Sequence, residues 1–255
     1  MLFEEIVFGP IHSRRLGVSL GVNVLPTEKK YCSFNCVYCE CGWNVIDTNI
    51  QVPLNRREDI RKALEKKLSE NQNDLNKTIN SITFSGNGEP TIHPEILGIV
   101  NDVMELRDRY CPQAKISILS NSTNLVREDV FEALRKIDNP ILKLDAGTEK
   151  MYETINEPVN SNFEQIKQKL ISFGNKAIIQ TLLLRGEHNG KIIDNTCEEE
   201  FSAWLDTVRK IRPRMVMLYS IDRITPEKKL EKLLIPELES YAQRVRALGI
   251  ETKTY

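Results

Sequence analysis

A chain of 255 residues can bury a sizeable core, and 40% hydrophobic with 28% charged residues is the composition of a globular domain, not a disordered or fibrous one. No apolar run approaches the roughly 18–20 residues of a membrane span, and the start, Met1-Leu2-Phe3-Glu4-Glu5, is acidic and lacks the basic and apolar regions of a signal peptide. A cytoplasmic protein with no membrane partner is expected, in which clustered cysteines point to metal instead of disulfides; the net charge of −1 argues against a broadly basic nucleic-acid surface.

In chain order, residues 8–17 are dense in turn formers and carry Arg14 and Arg15, which either face a ligand or decorate a solvated turn. Residues 18–24 alternate apolar with small or polar side chains and read as a strand stopped by Pro26. Asn55 and Glu58 match a capping box ahead of a helical stripe of Ile60, Leu64 and Leu68. A second strand covers 79–84 and breaks at residues 85–90; Pro94 then reads as a first-turn proline for a helix carrying Ile96, Leu97, Val100 and Met104. A third strand covers 115–119 and a helix runs through Val130, Leu134 and Ile137. The fourth strand is 141–145, followed by Thr148 as a cap and helical sequence to Phe173. A fifth strand, 177–184, closes at Arg185-Gly186, and a helix passes through Phe201, Trp204, Leu205 and Val208. The sixth strand is 215–219; Thr225-Pro226 then caps a helical tail, broken at Pro236, to Leu248. The 205–235 stretch has eight Lys/Arg against four Asp/Glu, a run that reads as a solvated helix face more readily than as a basic patch.

Six strands alternating with helices predict an α/β fold of parallel β/α units, since parallel neighbours need crossovers. Six units instead of eight predict a partial barrel. No linker, repeat or low-complexity tract interrupts residues 1–255, so one domain with a short N-terminal lead-in and a helical C-terminal tail is expected. In such sheets ligands collect beyond the carboxyl ends of the strands, where the chemically suggestive clusters of this chain fall.

The densest of these is residues 31–39, Tyr-Cys-Ser-Phe-Asn-Cys-Val-Tyr-Cys, with Cys32, Cys36 and Cys39 separated by three and then two residues. Iron–sulfur clusters are held by cysteine thiolates, and three of them on one loop leave one iron of four open to a small molecule. A zinc site completed by Cys41, or a buried cysteine cluster, is the alternative; Cys41 otherwise reads as a spare thiol or a hydrogen donor. Gly86-Asn87-Gly88-Glu89-Pro90 follows the second strand, and glycines there admit close backbone approach to a ligand. Asn121 ends the third strand. Lys143 and Asp145 share one face of the fourth, where a lysine suits a carboxylate and an aspartate a diol, or the two form a buried ion pair. Asp222 and Arg223 follow the sixth strand as candidate substrate contacts. His12, His93 and His188 lack metal-ligand spacing and read as surface or capping residues, and Cys111 and Cys197 read as isolated buried thiols. No P-loop, Rossmann fingerprint or Ser/His/Asp motif is present in the sequence.

The cysteine spacing, the aromatic Tyr38 before the third cysteine and the glycine-rich stretch after the second strand closely resemble the radical SAM superfamily. The lead-in with its paired arginines resembles a bacterial branch related to wyosine (tRNA imidazoG37) synthetases, and the likeness covers about Phe8 to Arg223. The resemblance implies a partial (β/α)6 TIM-like barrel of the radical SAM type. It implies a 4Fe–4S cluster on Cys32, Cys36 and Cys39, with the open iron chelated by the amino and carboxylate groups of S-adenosylmethionine (SAM). Tyr38 would then contact adenine, and the backbone of Gly86, Asn87, Gly88 and Glu89 would receive the SAM amino group. Asn121, Lys143 and Asp145 would meet the ribose and the methionyl carboxylate. A flavodoxin or ferredoxin would be the electron donor. The implied substrate is a tRNA base; a peptide or small metabolite is the other expectation, and a zinc or iron–sulfur module without catalysis the alternative of a different class.

Overall fold

The computed structural model describes residues 2–44, 53–70 and 79–255. These fall into two compact units. The first comprises Met1–Cys32, Asn44–Ser120 and Arg127–Pro140. Within it, β1 (Val7–Ser13) and β2 (Gly17–Val22) form an antiparallel hairpin, and β2, β3 (Ser81–Phe84) and β4 (Lys115–Ser120) are parallel neighbours. Leu20, Val22, Ile82, Phe84, Ile116 and Ile118 bring buried side chains from successive strands. The helices are α1 (Arg57–Ser69), α2 (Ile96–Tyr110) and α3 (Glu128–Lys136). Ile60, Leu64 and Leu68 recur every four residues, which puts all three on the buried face of α1.

Three local expectations are corrected here. Residues 8–17 are mostly the strand β1, with only Arg14, Arg15 and Leu16 in the turn. Its apolar alternation is hidden because the strand is exposed beyond Phe8, and a register irregularity between Phe8 and Ile11 accommodates Pro10. Asn55 is not a helix cap: Arg56 holds that position, while the Asn55 amide donates to Leu25 O at 2.6 Å and Asn23 O at 3.2 Å. Two carbonyls of the preceding loop thus take a side chain that local pattern assigns to the helix. Pro94 lies in the turn before α2, not within its first turn.

The second unit comprises Ser33–Trp43, Asn121–Val126 and Ile141–Tyr255. The strand β5 (Asn139–Lys143) leads the chain into it, and β5, β6 (Ile178–Leu182), β9 (Met215–Tyr219) and β11 (Glu251–Thr254) pair in parallel in that order. Its helices are α4 (Glu149–Asn156), α5 (Phe163–Phe173), α6 (Glu198–Ile211) and α7 (Ile235–Arg246). Thr148 caps α4 as expected, accepting from Met151 N at 3.3 Å, and the buried Glu200 of α6 accepts from Gly147 N and Thr148 N at 3.1 Å each.

A small antiparallel sheet, with β7 (Leu184–His188) between β10 (Leu230–Lys232) and β8 (Lys191–Asp194), takes the place of the expected stop at Arg185-Gly186. The turn joining β7 to β8 is Asn189-Gly190, both at positive φ (49° and 73°), the residue pair that a tight hairpin selects. Thr225-Pro226 caps no helix. The helix α7 starts at Ile235, with Pro236 inside its first turn and Glu237 Oε2 accepting from Leu234 N at 3.0 Å, so the proline read as a break marks the start. The 205–235 cations do not share a helix face: Arg209 and Lys210 end α6, whereas Arg223, Lys229 and Lys232 follow β9.

Candidate cofactor site

The first unit carries Cys32 and the glycine-rich turn. Beyond β3 the chain pairs with the entry to the cysteine loop: Tyr31 N donates to Asn87 O at 2.7 Å, and Glu89 N to Tyr31 O at 3.2 Å. Gly88 has φ of 144°, and a Cβ there would fall 1.8 Å from Tyr31 O. The close approach that this glycine permits is therefore first of all to the residue before Cys32. Asn87 is fully buried and its amide is committed to the chain, donating to Phe3 O and Pro26 O at 2.9 Å each and accepting from Phe3 N at 2.8 Å. Its side chain thus ties the turn to two backbone segments, at Phe3 and at Pro26–Thr27. Glu89, also buried, accepts on Oε1 from Thr91 N (3.0 Å), Thr91 Oγ1 (2.5 Å) and Ser120 Oγ (2.9 Å), tying the turn to the end of β4. Cys32 O accepts from Asn44 Nδ2 at 2.5 Å.

The second unit carries Cys36, Tyr38, Cys39, Asn121, Lys143 and Asp145. The end of α4 holds the cysteine loop by its backbone: Asn35 N donates to Asn156 O (2.9 Å), Val37 N to Ile155 O (3.0 Å) and Val159 N to Ser33 O (2.9 Å). Cys39 N donates to Cys36 O at 3.1 Å and Gly42 N to Cys39 O at 2.9 Å, so Cys36 and Cys39 occupy consecutive tight turns. Asn121 Nδ2 donates to Ser33 Oγ at 2.9 Å, and its Oδ1 accepts from Thr123 N and Oγ1, which fixes the amide against the loop.

Asp145 is the hub. Its Oδ2 accepts from Tyr38 Oη at 2.5 Å and Asn156 Nδ2 at 3.2 Å and lies 3.4 Å from Lys143 Nζ; its Oδ1 accepts from Leu182 N at 2.9 Å. Lys143 Nζ also donates to Tyr219 Oη at 2.6 Å and lies 4.7 Å from the centre of the Tyr38 ring. The Lys143 and Asp145 side chains are only 15% and 1% exposed, so the buried ion pair read as one alternative is present. Burial pushes the Lys143 ammonium toward neutrality, but the charges around it, Asp145 foremost, outweigh this and raise its pKa. Burial and the facing carboxylate hold the Tyr38 phenol well above its usual range. A small cavity beside the hub is lined by Phe34, Asn121, Lys143, Asp145, Tyr152 and Asn156 among others.

Burial, then the neighbouring Cys39, pushes the Cys36 thiol up to about 11. Burial and the adjacent sulfur disfavour the Cys36 thiolate, and the Lys143 charge offsets this only in part, so cationic iron would supply what the ionised sulfur lacks; this donor set fits a metal cluster. Among the described residues, no three His, Cys, Asp or Glu side chains gather as a metal-ion centre. Cys41 is partly buried and Cys111 buried, but Cys197 is exposed at the N-cap of α6, which corrects the expectation of a buried thiol there. His12 is exposed and His93 holds the α2 entry turn, accepting from Glu95 N at 3.1 Å. His188 departs from a surface role: it is buried between Glu227 (2.9 Å) and Glu157 (3.0 Å). Asp222 and Arg223 form exposed ion pairs with Lys232 (3.2 Å) and Glu40 (2.7 Å). Two members of the hub escaped sequence reading. Tyr219 ends a predicted strand and was identifiable from that position, whereas Asn156 ends a helix and carries no periodic signal.

The family model for the radical SAM superfamily matches residues 30–194. A UPF0026 protein of Helicobacter pylori (strain J99) is 32% identical over 225 residues, covering 86% of this chain and 67% of its own length. Streptococcus suis SuiB bound to S-adenosylmethionine superposes with a TM-score of 0.63 at 16% identity, over 92% of this chain and 50% of SuiB. A structure of TYW1 with a lysine-pyruvate adduct bound gives 0.60 at 16% identity, over 90% of this chain and 73% of that one. This chain thus spans half the length of SuiB, and at 16% identity these two likenesses speak for the fold, the partial (β/α)6 barrel of TIM-like type. With the family model covering most of the chain, this protein belongs to the radical SAM superfamily, whose members use a 4Fe–4S cluster and SAM.

Proposed function

We propose that this protein is an enzyme that cleaves SAM reductively and abstracts hydrogen from a substrate, with Cys32, Cys36 and Cys39 as the cluster ligands. The observation that carries this reading is the second unit's network, in which the Cys36 sulfur, Tyr38, Asp145, Lys143 and Asn156 are joined in one buried patch. When bound, the cluster would supply the one electron needed for reductive cleavage of the SAM carbon–sulfur bond, and SAM the radical that takes hydrogen from substrate. The chain's own part is orientation and exclusion of water. Lys143, kept cationic, offers charge for a carboxylate, and the Tyr38 ring offers a face for adenine. Asn121 presents an amide at the cavity wall, and the main chain of Gly86, Asn87, Gly88 and Glu89 offers carbonyls for an ammonium. Asp145 serves mainly by holding Tyr38 and Lys143 in place. In this reading a flavodoxin or ferredoxin delivers the electron, and the protein works in the cytoplasm; among the described residues no helix is long and apolar enough to cross a membrane.

The substrate we propose from the wyosine-type lead-in is a tRNA base. A peptide or small metabolite is the second reading, favoured by the pairing with acids of three of the four cations between β9 and α7: Arg223 with Glu40, Lys229 with Glu187 and Lys232 with Asp222. Paired cations release few counterions on binding RNA. Anaerobic reconstitution with iron and sulfide tests the reaction. The expected result is an iron–sulfur EPR signal altered by SAM, with 5′-deoxyadenosine released on reduction and both lost in Cys36→Ala. Tightly bound zinc without SAM cleavage would establish the non-catalytic module instead. Filter binding of tRNA across salt separates the substrates: no affinity at low salt removes the RNA reading.

A further inference from the structure

We propose that Asn156 is a positioning residue that sets the reduction potential of the cluster, through a hydrogen bond from its side-chain amide to the Cys36 sulfur. The inference rests on the reading of Cys36 as a cluster ligand. Asn156 is 1% exposed, and its Nδ2 lies 3.4 Å from Cys36 Sγ, 3.2 Å from Tyr38 Oη and 3.2 Å from Asp145 Oδ2. A primary amide has two N–H bonds about 120° apart, and here three acceptors surround them. The Asp145 carboxylate fixes which way the amide faces. Turned over, Asn156 would set its own carbonyl oxygen against both the carboxylate and the sulfur, and the contacts to these two acceptors would become repulsive. The backbone is held as well, since Asn156 O accepts from Asn35 N at 2.9 Å, one residue before the cysteine. Donor and sulfur are thus locked at one separation by contacts at both ends.

A hydrogen bond to an iron-bound thiolate strengthens as negative charge accumulates on reduction, so a fixed donor favours the reduced form. The burial of this donor away from water keeps solvent from replacing it. The proton stays on nitrogen throughout: one electron passes from the external reductant to the cluster, and nothing else is transferred.

The test uses the reconstituted full chain. In Asn156→Leu, which keeps the shape and removes both N–H groups, a mediated titration with dithionite followed by EPR is expected to show a lower midpoint potential. The expected size is about tenfold in the reduction equilibrium, or about 59 mV for one electron. A second measurement needs no variant: the protein labelled with 15N only at asparagine side chains should show a nitrogen hyperfine coupling in the reduced state, in pulsed EPR. If Asn156→Leu does not load iron, that coupling decides. An unchanged potential in a loaded variant, or no 15N coupling in the reduced wild-type cluster, overturns the inference while leaving the cluster assignment intact. A wild-type protein that assembles no iron–sulfur centre fails the underlying reading instead.

Discussion

Replacing Asp145 by Asn tests whether the hub is held by charge. The change preserves size but puts an NH2 group where one carboxylate oxygen accepts from its neighbours. Either Leu182 N loses its 2.9 Å acceptor, or Tyr38 and Asn156 lose theirs, and in both cases Lys143 loses a counter-ion 3.4 Å away. Because the two charged side chains are 15% and 1% exposed, solvent screens the loss poorly. Breaking a buried pair by removing one partner typically costs about 3–5 kcal/mol, a large share of a total stability of about 5–15 kcal/mol. Urea unfolding of the metal-free chain, followed by Trp204 fluorescence, reads this locally: that indole is buried and donates to Leu144 O at 2.9 Å, next to the substituted residue. The expected outcome is a midpoint shift worth about 3–5 kcal/mol without a change in slope. The paired replacement Lys143→Met with Asp145→Leu removes the uncompensated charge but leaves Leu182 N, Tyr38 and Asn156 without their acceptor, so it should recover only part of that loss. A loss below about 1 kcal/mol in Asp145→Asn would refute the idea that this carboxylate organises the second unit.

Two further outcomes follow. Gly88→Ala places a methyl 1.8 Å from Tyr31 O in a backbone conformation (φ of 144°) that L-residues avoid, so the Tyr31 pairing should break, with a loss of about 3 kcal/mol or more in chemical denaturation and of the SAM-dependent change in the EPR signal. His188 is pushed down by burial and more strongly up by hydrogen bonds with Glu227 and Glu157, so its folded value exceeds 6.5; the stabilisation is complete below pH of about 6.5 and fades as pH rises through that raised value. Glu227 is held below its usual 4.5 by His188, and its contribution fades on acidification instead. Urea unfolding at several pH values should therefore show stability falling on the alkaline side in the wild type, and a flatter profile there in His188→Gln.

The strands Lys115–Ser120 and Met215–Tyr219 were legible almost to the residue, because buried parallel strands read as short apolar runs closed by polar residues. The Asn55 cap was lost to tertiary carbonyls that no local pattern encodes. The hairpin at Asn189-Gly190 had a local signal, but continuous apolar sequence up to Leu184 masked where one strand ended and the next began. At the site, spacing was enough to single out the three cysteines as candidates, and period-two alternation placed Lys143 beside Asp145, where the structure pairs them. What neither could give was how Asn87 and Glu89 use their side chains. Both are turned into the scaffold, and their partners Phe3, Pro26 and Ser120 come from distant points of the sequence.

The backbone bonds from Asn35 and Val37 to Asn156 and Ile155 also order events during synthesis. Cys36 emerges from the ribosome 120 residues before the asparagine that steadies it. Until α4 has been made and folded, the thiol turn has nothing to close on. Metal insertion into the nascent polypeptide would therefore meet an unshaped loop, and on the proposed reading of Cys36 as a ligand, assembly of the centre would follow the synthesis of α4.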